Sequence, residues 1–213
     1  MPLSDAQSRL PERLSAGARY DSARAPKREL GWARGGTAYF ARLLNELRDD
    51  ELDYPSLLPG RSRRHVVAEI GYQARALARS VELVRGASVD PIFAHNDQLR
   101  EEAKFALSLR SDALRHLFKH SEVHLNVEWR DLDDDEWDRN AALPGGGQIT
   151  PRQTVPIRSI SLWLRGVALN NGGRLADVPR DLLEYFHIGN ANQEPREAVR
   201  LARLPAAASI YML

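Results

Sequence analysis

The chain has 213 residues, 43% of them apolar and 28% charged, with a formal net charge of +1, which fits one globular domain plus at most a small appendage. That charge gives no electrostatic drive toward nucleic acid, no apolar run is long enough to span a bilayer, and the opening stretch lacks the apolar core of a secretory signal. The expected setting is therefore the cytoplasm, with neither membrane nor nucleic acid as partner. Cysteine is absent, which excludes disulfides, cysteine zinc sites and a cysteine nucleophile. Any thiol chemistry needs a thiol brought from outside.

Residues 1–28, broken by Pro2, Pro11, Gly17 and Pro26, read as an N-terminal arm with at most one short helix. A first helix is predicted near 29–48, where Gly36, Phe40, Leu43, Leu44 and Leu47 share a stripe. Tyr54-Pro55 breaks it. The turn Leu58-Pro59-Gly60 and Ser62 as N-cap introduce a second helix, carried by Val66, Ile70, Ala74, Leu77, Val81 and Val84 and closed by Gly86. A third is expected from about Asn96 to His120, with Leu99, Ala103, Ala106, Leu114 and Leu117 facing inward.

Beyond it, Glu122 to Trp129 alternates in polarity and predicts a short strand or extended piece. The acidic run Asp131 to Asp138 around Trp137 reads as a solvated loop and helix start, with a metal site as the other reading. Pro144-Gly145-Gly146-Gly147 is a loop. A fourth helix is predicted from Thr150 or Pro151 through Ile160, Leu164 and Val167 to the stop Asn170-Asn171-Gly172-Gly173. A short fifth follows Asp177-Val178-Pro179 and ends near His187. Ser209 to Leu213 reads as a docked strand or irregular cover.

Several of these pieces, in this order, resemble one known family. They are Leu58-Pro59-Gly60 followed by His65 at a helix start, Asp90-Pro91-Ile92-Phe93, Leu99 to Ala103, Asp135-Glu136-Trp137-Asp138, and Gly173 to Pro179. Over roughly residues 30–186 the chain resembles the mycothiol-dependent maleylpyruvate isomerases of the DinB-like superfamily, with Arg61 standing where that family usually has Trp. The resemblance implies a mainly α fold: a DinB-like four-helix bundle over 29–188, an extra N-terminal arm over 1–28 and a short C-terminal extension over 189–213. It also implies a thiol-dependent isomerase or S-transferase that uses a small thiol such as mycothiol on a small carboxylate-bearing electrophile. The 27 residues after Phe186 are too few for the α/β domain that follows the bundle in the isomerase. A homodimer, or a partner supplying a lid, is one way to cover the site.

The family holds a divalent metal such as zinc with a His at the start of the second helix, matched by His65, and a Glu and a His four residues apart on the last bundle helix. Those two slots fall on Ser161 and Arg165, or on Ser159 and Trp163 if the register slides by two. Only His65 remains as a metal ligand. Three readings follow. One is a different ligand set formed from His65, Glu69, Glu122 and His124. Alternatively, Arg165 acts as an anion clamp beside His65 as general base, with Arg158, Ser161 and Trp163 contacting substrate, unless Arg165 is a solvated charge at the helix end. The third reading is a non-catalytic binding or assembly module on the same bundle.

Overall fold

The computed structural model describes residues 21–87, 101, 104–142 and 147–188. Helices α1 (Lys27–Asn45), α2 (Arg63–Val84), α3 (Ser111–Arg130) and α4 (Pro151–Ala168) form the bundle, and α5 (Arg180–Tyr185) closes the described chain. Short 3-10 turns lie at Asp50–Asp53, Glu136–Asp138 and Leu175–Asp177. Strands β1 (Ala141–Ala142) and β2 (Gln148–Ile149) pair antiparallel, Ala141 opposite Ile149. No helix among the described residues is long and apolar enough to cross a membrane.

Helix α1 packs chiefly on α4, and α2 on α3, while α2 also touches α4. The stripe predicted on α1 is buried: Gly36, Phe40, Leu43 and Leu44 all face inward. Close approach to α4 depends on Gly166, where a Cβ would meet the Tyr39 ring at 2.6 Å. That ring stacks on Trp163 at 4.7 Å, and its hydroxyl donates to Asp177 at 3.0 Å.

Helix α4 is enclosed almost all round: every residue from Thr154 to Ala168 except Trp163 is buried. Its start is set by Thr150, whose Oγ1 accepts the Gln153 N–H at 3.3 Å, while Gln153 Oε1 accepts the Thr150 N–H at 2.9 Å, a reciprocal cap. Its end is held from α2, where Arg63 donates to the Leu169 and Asn170 carbonyls at 2.8 and 2.7 Å. A helix buried on all sides cannot leave its polar side chains to water. Arg158, Ser159, Ser161 and Arg165 must therefore find partners inside.

Two expectations need correction. The third helix does not end at His120, and Glu122 to Trp129 is not extended. Helix α3 starts at Ser111 and runs unbroken to Arg130. Its buried positions are Leu114, Phe118, Ser121, Glu122, Leu125, Glu128 and Trp129, a helical spacing hidden in the sequence because three of those slots are polar. The earlier part of the predicted helix, from 96 to 100, lies outside the described residues.

The acidic run does sit in a loop, but it is not merely solvated. Trp137 is completely buried and donates to Ser22 Oγ at 2.8 Å. Asp134 accepts the Arg24 N–H at 2.8 Å, and Asp138 accepts Arg152 Nε at 2.7 Å. These contacts fasten residues 22–24, the end of the predicted arm, to the bundle. Residues 1–20 of the arm and the extension over 189–213 lie outside the described residues, and the last two residues of the predicted arm, Lys27 and Arg28, already belong to α1.

Candidate functional site

The turn predicted before α2 forms as a closed loop. Gly60 takes φ 73°, Arg61 N–H donates to Leu58 O at 3.1 Å, and Leu57 N–H donates to Ala168 O at 2.9 Å. The last contact pins the loop against the end of α4. A cavity of about 510 Å³ is lined by Asp53, Ser56, Leu57, Pro59, Arg61 and Ser62, among others.

His65 follows immediately. Its Nδ1 accepts the Ser62 backbone N–H at 3.2 Å and lies 2.9 Å from Ser62 Oγ. A backbone N–H can only donate, so Nδ1 must be the acceptor. The neutral ring then carries its proton on Nε2. Burial, followed by the charges of Arg61 and Arg64, holds the imidazole below its ordinary pKa, which favours this neutral form. His65 is thus a helix-capping residue that offers a donor N–H. In this tautomer its Nε2 is not the base expected from sequence.

One turn further along α2, Glu69 is 3% exposed and meets two guanidinium groups. Arg165 donates through Nε and Nη2 to Oε1 at 3.0 and 2.7 Å. Arg61 Nη1 lies 3.8 Å from Oε2, and neither of these two atoms has a hydrogen-bond partner. Arg165 is 2% exposed, which corrects the alternative of a solvated helix-end charge. Glu69 thus meets two guanidinium groups, one of which, Arg61, also borders the cavity.

Deeper in the bundle a second polar set crosses between helices. Arg158, with no exposed surface, donates from Nη1 to Ile70 O at 2.9 Å and Gln73 Oε1 at 2.6 Å, and its Nη2 faces Glu122 Oε1. Thr37 donates to Glu122 Oε2 at 2.8 Å. Gln73 Nε2 donates to Ser161 Oγ at 2.8 Å, and Ser161 donates to Ile157 O at 2.9 Å. Burial pushes the Arg158 guanidinium down to about 9, which leaves it charged at neutral pH opposite Glu122.

Of the residues picked out from sequence, Arg158, Ser161 and Arg165 lie on the α4 face that meets α2, and His65 lies one turn before Glu69. Trp163 is not among them. Its Nε1 donates to Trp32 O at 3.0 Å, so the ring turns toward α1. His124 and Glu122 do not join His65 and Glu69. Glu122 binds Arg158 and Thr37, while His124 contacts Glu82 and Glu128. Sequence reasoning missed Gln73 and Thr37, whose roles depend on tertiary pairing. It also missed Arg61, although the replacement of Trp by Arg after Leu-Pro-Gly was a visible signal.

The residues do not fit the divalent metal that the family resemblance implies. A guanidinium has no lone pair to give and repels a cation. The α4 positions that the resemblance matches to its other two ligands hold Ser161 and Arg165, or Ser159 and Trp163 in the shifted register, and Glu69, one turn after His65, is committed to guanidinium groups. His65 Nδ1 accepts a backbone N–H, whereas a histidine that ligates through Nε2 ordinarily donates from its other nitrogen.

Comparison with known proteins agrees with the architecture. Among solved structures, the chain is similar to a crystal structure of the mycothiol-dependent maleylpyruvate isomerase, at 28% identity and a TM-score of 0.71, covering 76% of this chain and 68% of that one. A histidine-to-alanine mutant of that isomerase matches equally well, at 28% identity and a TM-score of 0.71 over the same shares. No curated protein matches. The family described as "Mycothiol maleylpyruvate isomerase N-terminal domain" matches residues 33–170, which span α1 to the end of α4. The chain belongs to the mycothiol maleylpyruvate isomerase N-terminal domain family.

Proposed function

We propose that the protein is a thiol-dependent isomerase or S-transferase that works on a small carboxylate-bearing electrophile, with guanidinium charge where its relatives have metal. The observation that carries this reading is the Arg61–Glu69–Arg165 cluster, in which two guanidinium groups meet one buried carboxylate and Arg61 also borders the loop cavity. Isomerisation and transfer both begin with addition of a thiolate to a conjugated double bond, and both involve anions from start to finish. A guanidinium group at the edge of the cavity favours such anions, with each charge-assisted hydrogen bond contributing on the order of 1.5–3 kcal/mol.

In this reading an external thiol such as mycothiol supplies the nucleophile. The thiolate sulfur forms a bond to one alkene carbon, and the π electrons move onto the conjugated carbonyl oxygen. Rotation about the former double bond and return of those electrons expel the thiolate and leave the trans alkene. If a proton instead reaches the carbon, the C–S bond persists and the thiol is transferred. The Arg61 guanidinium, which borders the cavity, is assigned to the substrate carboxylate, Arg165 to the field that favours thiolate, and the His65 Nε2–H to the developing oxyanion. Arg158 and Ser161 hold Gln73 and the α2–α4 spacing beneath.

A second reading, a non-catalytic binding or assembly module, draws support from the internal pairing of Arg158 with Glu122 and of Arg165 with Glu69. The test is mass spectrometry and absorbance on protein incubated with mycothiol and maleylpyruvate. The enzyme reading expects thiol-dependent isomer or adduct, reduced at least tenfold by Arg61→Ala. If neither product forms with any small thiol, the binding-module reading takes its place.

A further inference from the structure

Near the C-terminal end of α2, about 25 Å along the helix from His65 at 1.5 Å per residue, three metal-ligating side chains converge. His124 Nε2 lies 2.8 Å from Glu82 Oε1 and 3.6 Å from Glu128 Oε1. One ligand atom from each residue lies within 4.8 Å of the other two. His124 and Glu128 are one turn apart on α3, and Glu82 comes from α2, so the set bridges two helices.

The geometry points to a binding site here for a divalent transition-metal ion of the zinc class, held by Glu82, His124 and Glu128. Zinc sits about 2.0–2.2 Å from nitrogen and oxygen ligands with near-tetrahedral angles, so its ligand atoms stand roughly 3.3–3.6 Å apart. The two measured separations bracket that spacing. Imidazole with carboxylate selects zinc-class ions over calcium or magnesium, which prefer all-oxygen sets.

Two further details suit an ion better than a surface ion pair. His124 Nε2 has one hydrogen to offer, yet two carboxylates from different helices converge on it. Arg85 Nη1 binds Glu128 Oε2 at 2.8 Å, which fixes that carboxylate from behind and leaves Oε1 turned to His124. Such outer contacts commonly orient metal ligands. The His124 side chain keeps 38% of its exposure, so an ion can enter from solvent. The bound ion would fasten α2 to α3, independently of the chemistry proposed at Arg61.

The test uses tag-free, metal-stripped full chain titrated with zinc chloride, followed by calorimetry and by thermal unfolding. The expected result is one ion per chain in the micromolar range and a higher unfolding temperature with zinc. His124→Ala should weaken binding at least tenfold and remove the thermal shift, with circular dichroism confirming helix content. Glu82→Gln gives the same reading if His124→Ala does not fold. His116→Ala is the control, because exposed His116 and His120 lie one turn apart with ring centroids 5.8 Å from each other and form a competing surface chelate. Absence of binding at 100-micromolar zinc, taken as roughly a hundred times a micromolar constant, overturns the proposal. So does binding that survives His124→Ala and Glu82→Gln but is lost in His116→Ala.

Discussion

Arg165 and Glu69 are separated by 96 positions in sequence and by 2.7 Å in space. Both are almost fully enclosed, so removing one charge strands the other in a medium that cannot solvate it. Arg165→Met is expected to lower unfolding free energy by about 3–5 kcal/mol, measured by urea denaturation. The double change Glu69→Leu with Arg165→Met should recover most of that loss, because well-packed apolar replacements of buried pairs are often neutral or stabilising. A double variant as unstable as the sum of the two singles would contradict the pairing. That Ser161 and Arg165 share a face of α4 was legible from their spacing, and so was the shared face of His65 and Glu69 on α2. The closure of Glu69 onto Arg165 was not, since helical spacing says which side of a helix a residue occupies and nothing about which distant side chain meets it.

His65 carries a pH signature. Its folded pKa is held below the ordinary value, first by burial and then by Arg61 and Arg64. Unfolded histidine takes up a proton near pH 6.5, while the folded ring resists. The stabilisation is therefore complete above about pH 6.5 and declines as pH falls toward the lower folded value. His65→Gln keeps a side-chain acceptor for the Ser62 N–H but does not titrate. Unfolding free energies between about pH 5 and 7.5 should fall more steeply with acid for the wild type than for this variant. Equal slopes would contradict the assignment.

At the scale of elements, the clearest sequence signals were turn chemistry and apolar stripes. Helix α2 formed where Ser62, its apolar run and Gly86 placed it, and α4 began at the Thr150 cap. Helix α3 was misread because Ser121, Glu122 and Glu128 occupy inward positions. A polar residue buried against a partner looks, in sequence, like a residue facing water. The contact between α1 and α4 was only half legible: Gly36 stood in the apolar stripe, but nothing marked Gly166 as its counterpart. Gly166→Ala places a methyl against a Tyr39 ring already held by Trp163 and Asp177. Overpacking of this kind costs about 1–3 kcal/mol. A midpoint in urea unchanged from wild type would show that α1 and α4 can separate without penalty.

At the scale of the whole molecule, the bundle is a family member with a connected set of buried polar groups. The sequence resemblance implies a metal held between the second and last bundle helices. The space between α2 and α4 holds Glu69, Arg165, Gln73 and Ser161, joined to Arg158 and Glu122. Hydrogen-bonded charges join α4 to α2 and α3 in the interior, while the cavity beside them is lined by the loop that precedes α2. The loop that carries Leu58-Pro59-Gly60 is pinned to α4 through Leu57, so Arg61 is presented at a constant position beside the cavity. Residues 22–24 are clamped by the acidic loop, which ties the end of the arm to the start of α4 through Arg152. The sequence resemblance was enough to read this architecture. Arg61 as the charge facing the cavity emerged only once the loop was closed.

The proposed replacement of metal by guanidinium charge is tested by following maleylpyruvate isomerisation or adduct formation with mycothiol, before and after exhaustive chelation, at a temperature well below unfolding. Product is expected to require the thiol, to survive chelation undiminished and to fall at least tenfold in Arg61→Ala. Activity that disappears with the chelator and returns with zinc, or no thiol-dependent product at all, would contradict it.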